Sequence, residues 1–286
     1  MIGVLGNPAE TASMPDMFLG YDNEMNLYER MINTWSHLVW TTARFLWHIP
    51  IQERTMREHF GPDTPSVQEL ESRVSLLIIN SDVTLSYARA LVPNVIMAGG
   101  MHIEPPKPLP KDLAQFVEES KNGVIVFSMG SNLKSSDLPA EKRDALLNSF
   151  AKLKENVIWK WEEDALPGQP ENVFLYKWLP QNDVLAHPNV KLFITHGGLY
   201  STEEALYFGK PMVGIPIFAD QMVNMRRVEK SGLGVTIDFK NLTETAVTNA
   251  LKQVTVQQHY FNFISIGVEK IVDQKNDNIH PSIRTH

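Results

Sequence analysis

From residue 123 to residue 254, short apolar runs alternate with amphipathic helical stretches, and this alternation constrains the fold more than any other feature. "GVIVFSMGS" (123–131) is a continuous apolar run of strand length that ends in a polar turn. "PAEKRDALLNSFAKLKE" (139–155) reads as a helix with Pro139 near its first turn. The strands "NVIWKW" and "NVFLYKWL" follow, with a Pro/Gly turn at 167–170 between them. Then come a short helix "NDVLAH", a strand "VKLFITH", a helix "STEEALYFG", a strand "PMVGIPI", a helix "DQMVNMRRVEKSG" and a strand "GVTID". "NLTETAVTNALKQV" is a final helix, with Asn241 or Thr243 as its cap. Strands that alternate with helices predict a parallel sheet covered on both faces. Ligands of such sheets sit beyond the carboxyl ends of the strands, so the polar residues after each apolar run are the candidates for function.

The chain before residue 105 has a different texture. "LYERMINTWSHLVWTTARFLW" (27–47) places Leu27, Met31, Trp35, Leu38, Val39, Phe45 and Leu46 at helical spacing, and these apolar positions are expected in a core rather than on a membrane. "SLLIINSDVTL" (75–85) and "VIMAGGMHI" (95–103) read as short β runs. Four prolines in "EPPKPLPKDL" (104–113) predict an extended, helix-free connector. The expected organisation is a partial N-terminal domain over 1–104, a proline-rich linker over 105–120, a ligand-binding domain over 121–254 and a tail over 255–286.

Composition narrows the chemistry. The 286 residues include no cysteine, which excludes disulfides, thiolate zinc sites and a Cys nucleophile. A net charge of -7 without blocks of like charge argues against nucleic acid as a partner. No apolar run is long enough to cross a membrane, and "MIGVLGNPAE" lacks the features of a signal peptide. The triplet Asn241-Leu242-Thr243 is a glycosylation sequon that also reads as the loop before a helix.

The strand ends carry the candidates. "MGSN", with Ser131, is a turn that can aim backbone N–H groups at a phosphate, or an ordinary turn. Trp178 at the next exit offers a flat face to a planar ring, or belongs to the core, and Gln181 falls in the first helical turn after Pro180. In "FITHGGLYSTEEAL" (193–206), His196 ends a strand and Gly197-Gly198 permits a close backbone approach. Ser201 and Glu204 have the spacing of a capping box. The same stretch is equally an anion site at a helix N-terminus, with Glu204 as an acceptor for vicinal hydroxyls. Asp220 and Gln221 in "FADQ" could hold sugar hydroxyls, or Asp220 could cap the following helix. Together these residues form a ring platform, a diphosphate cradle, a diol acceptor and a hydroxyl clamp. A nucleotide-sugar accounts for the set better than a dinucleotide, whose G-x-G-x-x-G fingerprint is missing.

"WLPQNDVLAHPNVKLFITHGGLYSTEEALYFGKPMVGIPIFADQ" (178–221) resembles the signature of the UDP-glycosyltransferase family without a gap, in wording closest to its insect branch. "GVIVFSMGSN", "VIWKWE", "INSDVTLSYARALVPNVIMAGGMHI" and "YERMIN" extend the resemblance over roughly residues 1–250. It implies an α/β chain of GT-B type, with a complete Rossmann-like C-terminal donor domain and a partial N-terminal acceptor domain. By the same resemblance Trp178 stacks on uracil, Gln181 supports the ribose, and Glu204 takes the ribose hydroxyls. His196, Ser201 and Ser131 meet the diphosphate, Gly198 belongs to the same donor-binding set, and Asp220 and Gln221 hold the sugar. The implied reaction moves a hexose, with glucose expected, from UDP-sugar to a hydroxyl of a small lipophilic acceptor with inversion, as in detoxification. The resemblance implies no cofactor, because UDP-sugar is a substrate, and no metal, because the helix N-terminus and His196 neutralise the charge a metal would otherwise meet. Homo- or hetero-oligomers with relatives, and the lumenal side of the endoplasmic reticulum membrane for full-length members, belong to the same set of expectations.

Three departures qualify the resemblance. Tyr200 stands where some members have Asn, so one phosphate contact falls to the backbone or is lost. The family's catalytic His and its supporting Asp find no match: His37 and His48 lie in or beside the aromatic helical stretch, and His59 follows "RTMRE". After Val254 the pattern is expected to leave the family's. A chain truncated at both ends is therefore expected. The alternative activity is a UDP-sugar-binding fragment without a general base, and a third reading is another nucleotide-sugar enzyme such as an epimerase.

Overall fold

A computed structural model describes residues 5–81, 86–87 and 89–255. The chain divides into two compact units, Met1–Met101 and His102–His286.

The first unit holds helices α1 (Leu27–Ala43), α2 (Ile49–Phe60) and α3 (Val67–Ser72) and a parallel pair of strands, β1 (Leu77–Ile79) and β2 (Val95–Met97). Residues 82–85 of the predicted "SLLIINSDVTL" run lie outside the described residues. Asn26 caps α1 in a reciprocal capping box with Glu29. A wide π-type turn, Arg44–His48, joins α1 to α2, next to Pro50, which has no N–H to give to an α-helical ladder. Asn33 is the buried residue of α1; it accepts from the Asp16 N–H and donates to the carbonyls of Thr11 and Met14, fastening the preceding loop. The aromatic face is not a core. Trp35 is 66% exposed and Trp47 69%, and Leu27, Met31, Leu38, Val39, Phe45 and Leu46 are exposed with them. Helical spacing had identified the apolar face correctly, but spacing cannot say whether anything covers it.

The second unit is a doubly wound sheet. Its strands are β3 (Val124–Ser128), β4 (Asn156–Lys160), β5 (Val173–Tyr176), β6 (Val190–Thr195), β7 (Met212–Gly214) and β8 (Gly234–Thr236). All pair in parallel in the order β5-β4-β3-β6-β7-β8. Helices α4 (Lys111–Glu119), α5 (Ala140–Phe150), α6 (Gln181–Ala186), α7 (Leu199–Tyr207) and α8 (Gln221–Lys230) lie among them in the sequence, followed by helix α9 over 244–255. Every residue of β3 is buried, as expected for a strand with helices on both sides. Phe127, Phe150, Trp159 and Trp161 pack ring against ring in the core between β3, β4 and α5, edge to face except for the tilted Phe127–Trp159 pair. Thr243 caps α9, accepting from the Ala246 N–H, so of the two candidate caps it is the one used.

The connector is shorter than its prolines suggested. Pro110 takes the N-cap position of α4, and Leu113 and Val117 bury one face of that helix. Pro at a helix start sacrifices only an N–H that would have been unpaired, so the last proline begins the helix instead of preventing it. Residues 104–107 are held against α6: Asn182 Nδ2 donates to the Glu104 carbonyl, and Asp183 Oδ1 accepts from the Lys107 N–H.

Candidate functional site

The chain runs outward from β3 through β4 to β5, returns to the other side of β3 as β6, and runs outward again. The connections leaving β3 and β6 therefore diverge, and their divergence opens a crevice at the carboxyl ends of the two strands. The candidates of the sequence reading follow the strands at their carboxyl ends: Ser131 after β3, Trp178 and Gln181 after β5, His196 after β6, and Asp220 and Gln221 after β7.

His196 is the centre. It follows β6, is only 9% exposed, and is bracketed by glycines. A Cβ added to Gly130, after β3, would stand 2.5 Å from His196 Cε1, and one added to Gly198 would stand 2.5 Å from Nε2. Gly130 also has φ of +77°, a conformation costly for any side chain. His196 Nδ1 is buried without a hydrogen bond among the described residues. Burial pushes the imidazole below its ordinary pKa, against an opposing pull from Asp220, and so favours the neutral ring. Ser131 is exposed one residue beyond Gly130.

Helix α7 starts earlier than the capping box required. Gly198 is the N-cap, with extended dihedrals and no side-chain cap, and Leu199 is the first helical residue. Ser201 thus lies inside the first turn, and Glu204 is too far along to close a box. Both are held instead by α6: Gln181 Nε2 donates to Ser201 Oγ at 3.0 Å and to Glu204 Oε2 at 2.5 Å. Pro180 is the N-cap of α6, which makes Gln181 its first residue and aims the amide across at α7. Burial raises the Glu204 pKa; Gln181 and His102 act against it, and Asp183 adds to it. A carboxylate kept part-buried and only partly hydrogen-bonded is poised to accept further donors.

Trp178 is 69% exposed, which removes the core reading and leaves a bare indole face beside α6. Lys160, at the end of β4, places Nζ 5.5 Å from that ring's centroid and donates to Glu162 Oε1 at 2.7 Å. At the exit of β7, Ala219 holds φ of +56°, the one non-glycine residue with positive φ among those described. Such strain costs about 1–3 kcal/mol and gathers at functional turns. It precedes Asp220, which occupies the N-cap position of α8 without capping it. Asp220 Oδ2 accepts from Asn224 Nδ2, which also donates to the Gly197 carbonyl at 3.0 Å, so Asn224 ties the β6 and β7 exits together. Gln221 is buried, and its Oε1 accepts from the N–H groups of Ile217 and Phe218. Only its amide nitrogen, which makes no hydrogen bond among the described residues, remains to meet a ligand.

Lys160, Asn224 and His102 were not singled out in the sequence. Lys160 had a visible signal, a cation interrupting the apolar run "VIWKW". Asn224 lay within an ordinary helical pattern. His102 meets α7 across nearly a hundred residues of chain, beyond the reach of local spacing.

The architecture defines a doubly wound α/β protein whose candidate residues lie at the carboxyl ends of its strands, about the topological switch point. The model of the UDP-glucoronosyl and UDP-glucosyl transferase family matches residues 3–267, and the chain belongs to that family. The match runs past Val254, where the sequence had been expected to leave the pattern. The chain is 38% identical over 257 residues to UDP-glycosyltransferase UGT5 of Dactylopius coccus, covering 90% of this chain and 49% of that one. It is 38% identical over 196 residues to UDP-glucuronosyltransferase 2B7 of Homo sapiens, covering 68% of this chain and 37% of the relative. It thus spans about half the length or less of these relatives. Among solved structures, Os79 from O. sativa in complex with UDP aligns with 55% of this chain and 38% of its own at 21% identity and a TM-score of 0.45. Among the described residues no helix is long and apolar enough to cross a membrane, and no group of three His, Cys, Asp or Glu could hold a metal ion.

Proposed function

We propose that this chain supplies the donor half of a UDP-glycosyltransferase, which transfers a hexose, with glucose favoured, from UDP-sugar to a hydroxyl of a small lipophilic acceptor with inversion. The observation that carries the reading is the bridge from Gln181 to Ser201 and Glu204, set beside an exposed Trp178 and a buried His196. The uracil would stack on Trp178, an interaction worth about 1–3 kcal/mol. Glu204 would accept both ribose hydroxyls, with Gln181 holding its other oxygen. The diphosphate would meet the N-terminus of α7, the Gly198 N–H, Ser201, Ser131 and His196. Asp220 and the Gln221 amide would take hydroxyls of the hexose. As the bond from the sugar to UDP breaks, charge develops on the departing diphosphate, and fixed donors at a helix end stabilise it there.

Calorimetry with UDP, alongside a product assay with UDP-glucose and a phenolic acceptor, tests this. UDP should bind, and Glu204→Ala and His196→Ala should each weaken it by about tenfold or more, the size of one charged hydrogen bond, while circular dichroism stays unchanged. No UDP binding by the folded wild-type chain would sink the reading. Binding without product would restrict it to a UDP-sugar-binding module.

A further inference from the structure

His102 opens the second unit, at the end of "AGGMHI", and its ring lies on helix α7. It stacks on Tyr200 with centroids 4.5 Å apart and planes 27° apart. Nε2 is 3.3 Å from the Tyr200 carbonyl oxygen and 3.8 Å from Glu204 Oε1. Nδ1 is 3.6 Å from Glu203 Oε2 and is buried without a hydrogen bond among the described residues. The two carboxylates belong to consecutive residues of one helix, and the Glu203 and Glu204 side chains are 3% and 13% exposed. A carboxylate in so little solvent is costly unless donors or a cation stand near it. Gln181 serves one oxygen of Glu204, and His102 is the ring that faces the other.

We infer that His102 is a positioning residue of the donor site, which rests on the proposed role of Glu204 as the ribose acceptor. Stacking on Tyr200 fixes the plane of the imidazole. Its Nε2 pairs with the Tyr200 carbonyl, and the same edge of the ring stands 3.8 Å from Glu204 Oε1, so Glu204 has the Gln181 amide on Oε2 and the imidazole edge beside Oε1. The ribose diol meets a carboxylate whose rotamer is already set, so little ordering is left to be done on binding. A histidine serves better than a lysine here, because a flat ring can stack and donate at once.

The test compares UDP with 2′,3′-dideoxy-UDP, which has no diol, on the whole chain. His102→Phe keeps an aromatic ring on Tyr200 and removes both ring nitrogens; His102→Gln keeps a donor and removes the stack. Wild type should prefer UDP over the dideoxy compound by at least about tenfold, as expected for hydroxyl contacts to a carboxylate. His102→Phe should erase most of that preference while leaving dideoxy-UDP affinity and the melting temperature near wild type. His102→Gln should restore part of it. If the wild type binds the two ligands equally, the ribose role of Glu204 fails, and the proposed function is what suffers. If the wild type discriminates and His102→Phe weakens both ligands alike, or neither, Glu204 keeps its role and His102 loses its own.

Discussion

The neutral ring of His196 is favoured because burial among glycines disfavours its charge. A diphosphate beside it would reverse that preference and raise its pKa above the free-site value. A group that binds a proton more tightly in the complex makes binding stronger as pH falls, so affinity for UDP-glucose should rise from about pH 8 to about pH 6. UDP-glucose is the right probe, since its diphosphate does not titrate in this range. His196→Asn should bind more weakly with a flat profile, and an equal slope in both proteins would show that another group takes up the proton. In the unliganded chain the same shift acts on stability. The folded pKa lies below the unfolded one, so the unfolded state binds more protons and stability falls as pH drops below about 6.5. Glu204 has the opposite shift: its folded pKa is raised, and ionising it above its ordinary range works against folding. Glu204→Gln should therefore leave the melting temperature at neutral pH unchanged or higher while UDP affinity drops. A lower melting temperature with unchanged affinity would mean that the carboxylate serves α7 and not a ligand.

Glycines separate the elements that serve the site from those that serve the sheet. Gly198 has φ of -62° and ψ of 145°, which alanine adopts freely, but its Cβ would meet the His196 ring. Gly234, in β8, would place a Cβ 2.3 Å from the backbone oxygen of Met212 in the neighbouring β7. Gly198→Ala should thus weaken UDP binding severalfold with little loss of stability. Gly234→Ala should leave ligand contacts alone and cost about 1–3 kcal/mol of stability, the usual size of overpacking between fixed backbones. Urea melts and UDP titrations on both variants read this contrast directly; equal effects on both measurements would collapse it. The alternation of apolar runs and helices after residue 123 made the sheet legible in the sequence, because buried parallel strands have to be continuously apolar. The strand exits were legible for the same reason. Helix starts were less so: "GGLYSTEE" offers two N-caps three residues apart, and only the dihedrals of Gly198 choose between them. The contacts of His102 and Asn224, and the solvent on the aromatic face of α1, depend on what folding brings near, which local periodicity does not encode.

At the scale of the whole molecule, the two ends of the second unit's sheet have different tasks. The carboxyl ends carry polar groups with capacity for a ligand, while at the amino end of β6 a lysine is engaged by two backbone carbonyls. Lys210 is buried, and its Nζ donates to the carbonyls of His187 and Val190 at 3.1 and 3.0 Å. Burial, with a smaller push from Lys191, lowers its pKa from 10.5 to about 8. Keeping that ammonium charged at neutral pH costs folding on the order of 3 kcal/mol, at 1.36 kcal/mol for each pKa unit. Because the folded pKa is the lower one, the unfolded chain binds the extra proton between about pH 8 and about pH 10.5, and this group's contribution to stability grows as pH rises through that window. Other groups titrate there too, Tyr176 with a pKa raised by burial among them, so the informative quantity is a difference between two proteins. Lys210→Met keeps the length of the side chain and removes its charge, leaving the two carbonyls without their donor at every pH. Urea unfolding of wild type and Lys210→Met at steps from about pH 7 to about pH 10 should show the wild type gaining on the variant as pH rises. A constant difference across the series would mean that the lysine keeps an ordinary pKa despite its burial. A difference that shrinks with pH would mean that its charge stabilises the fold, and that the two carbonyls at the start of β6 hold an ammonium more tightly than burial opposes it.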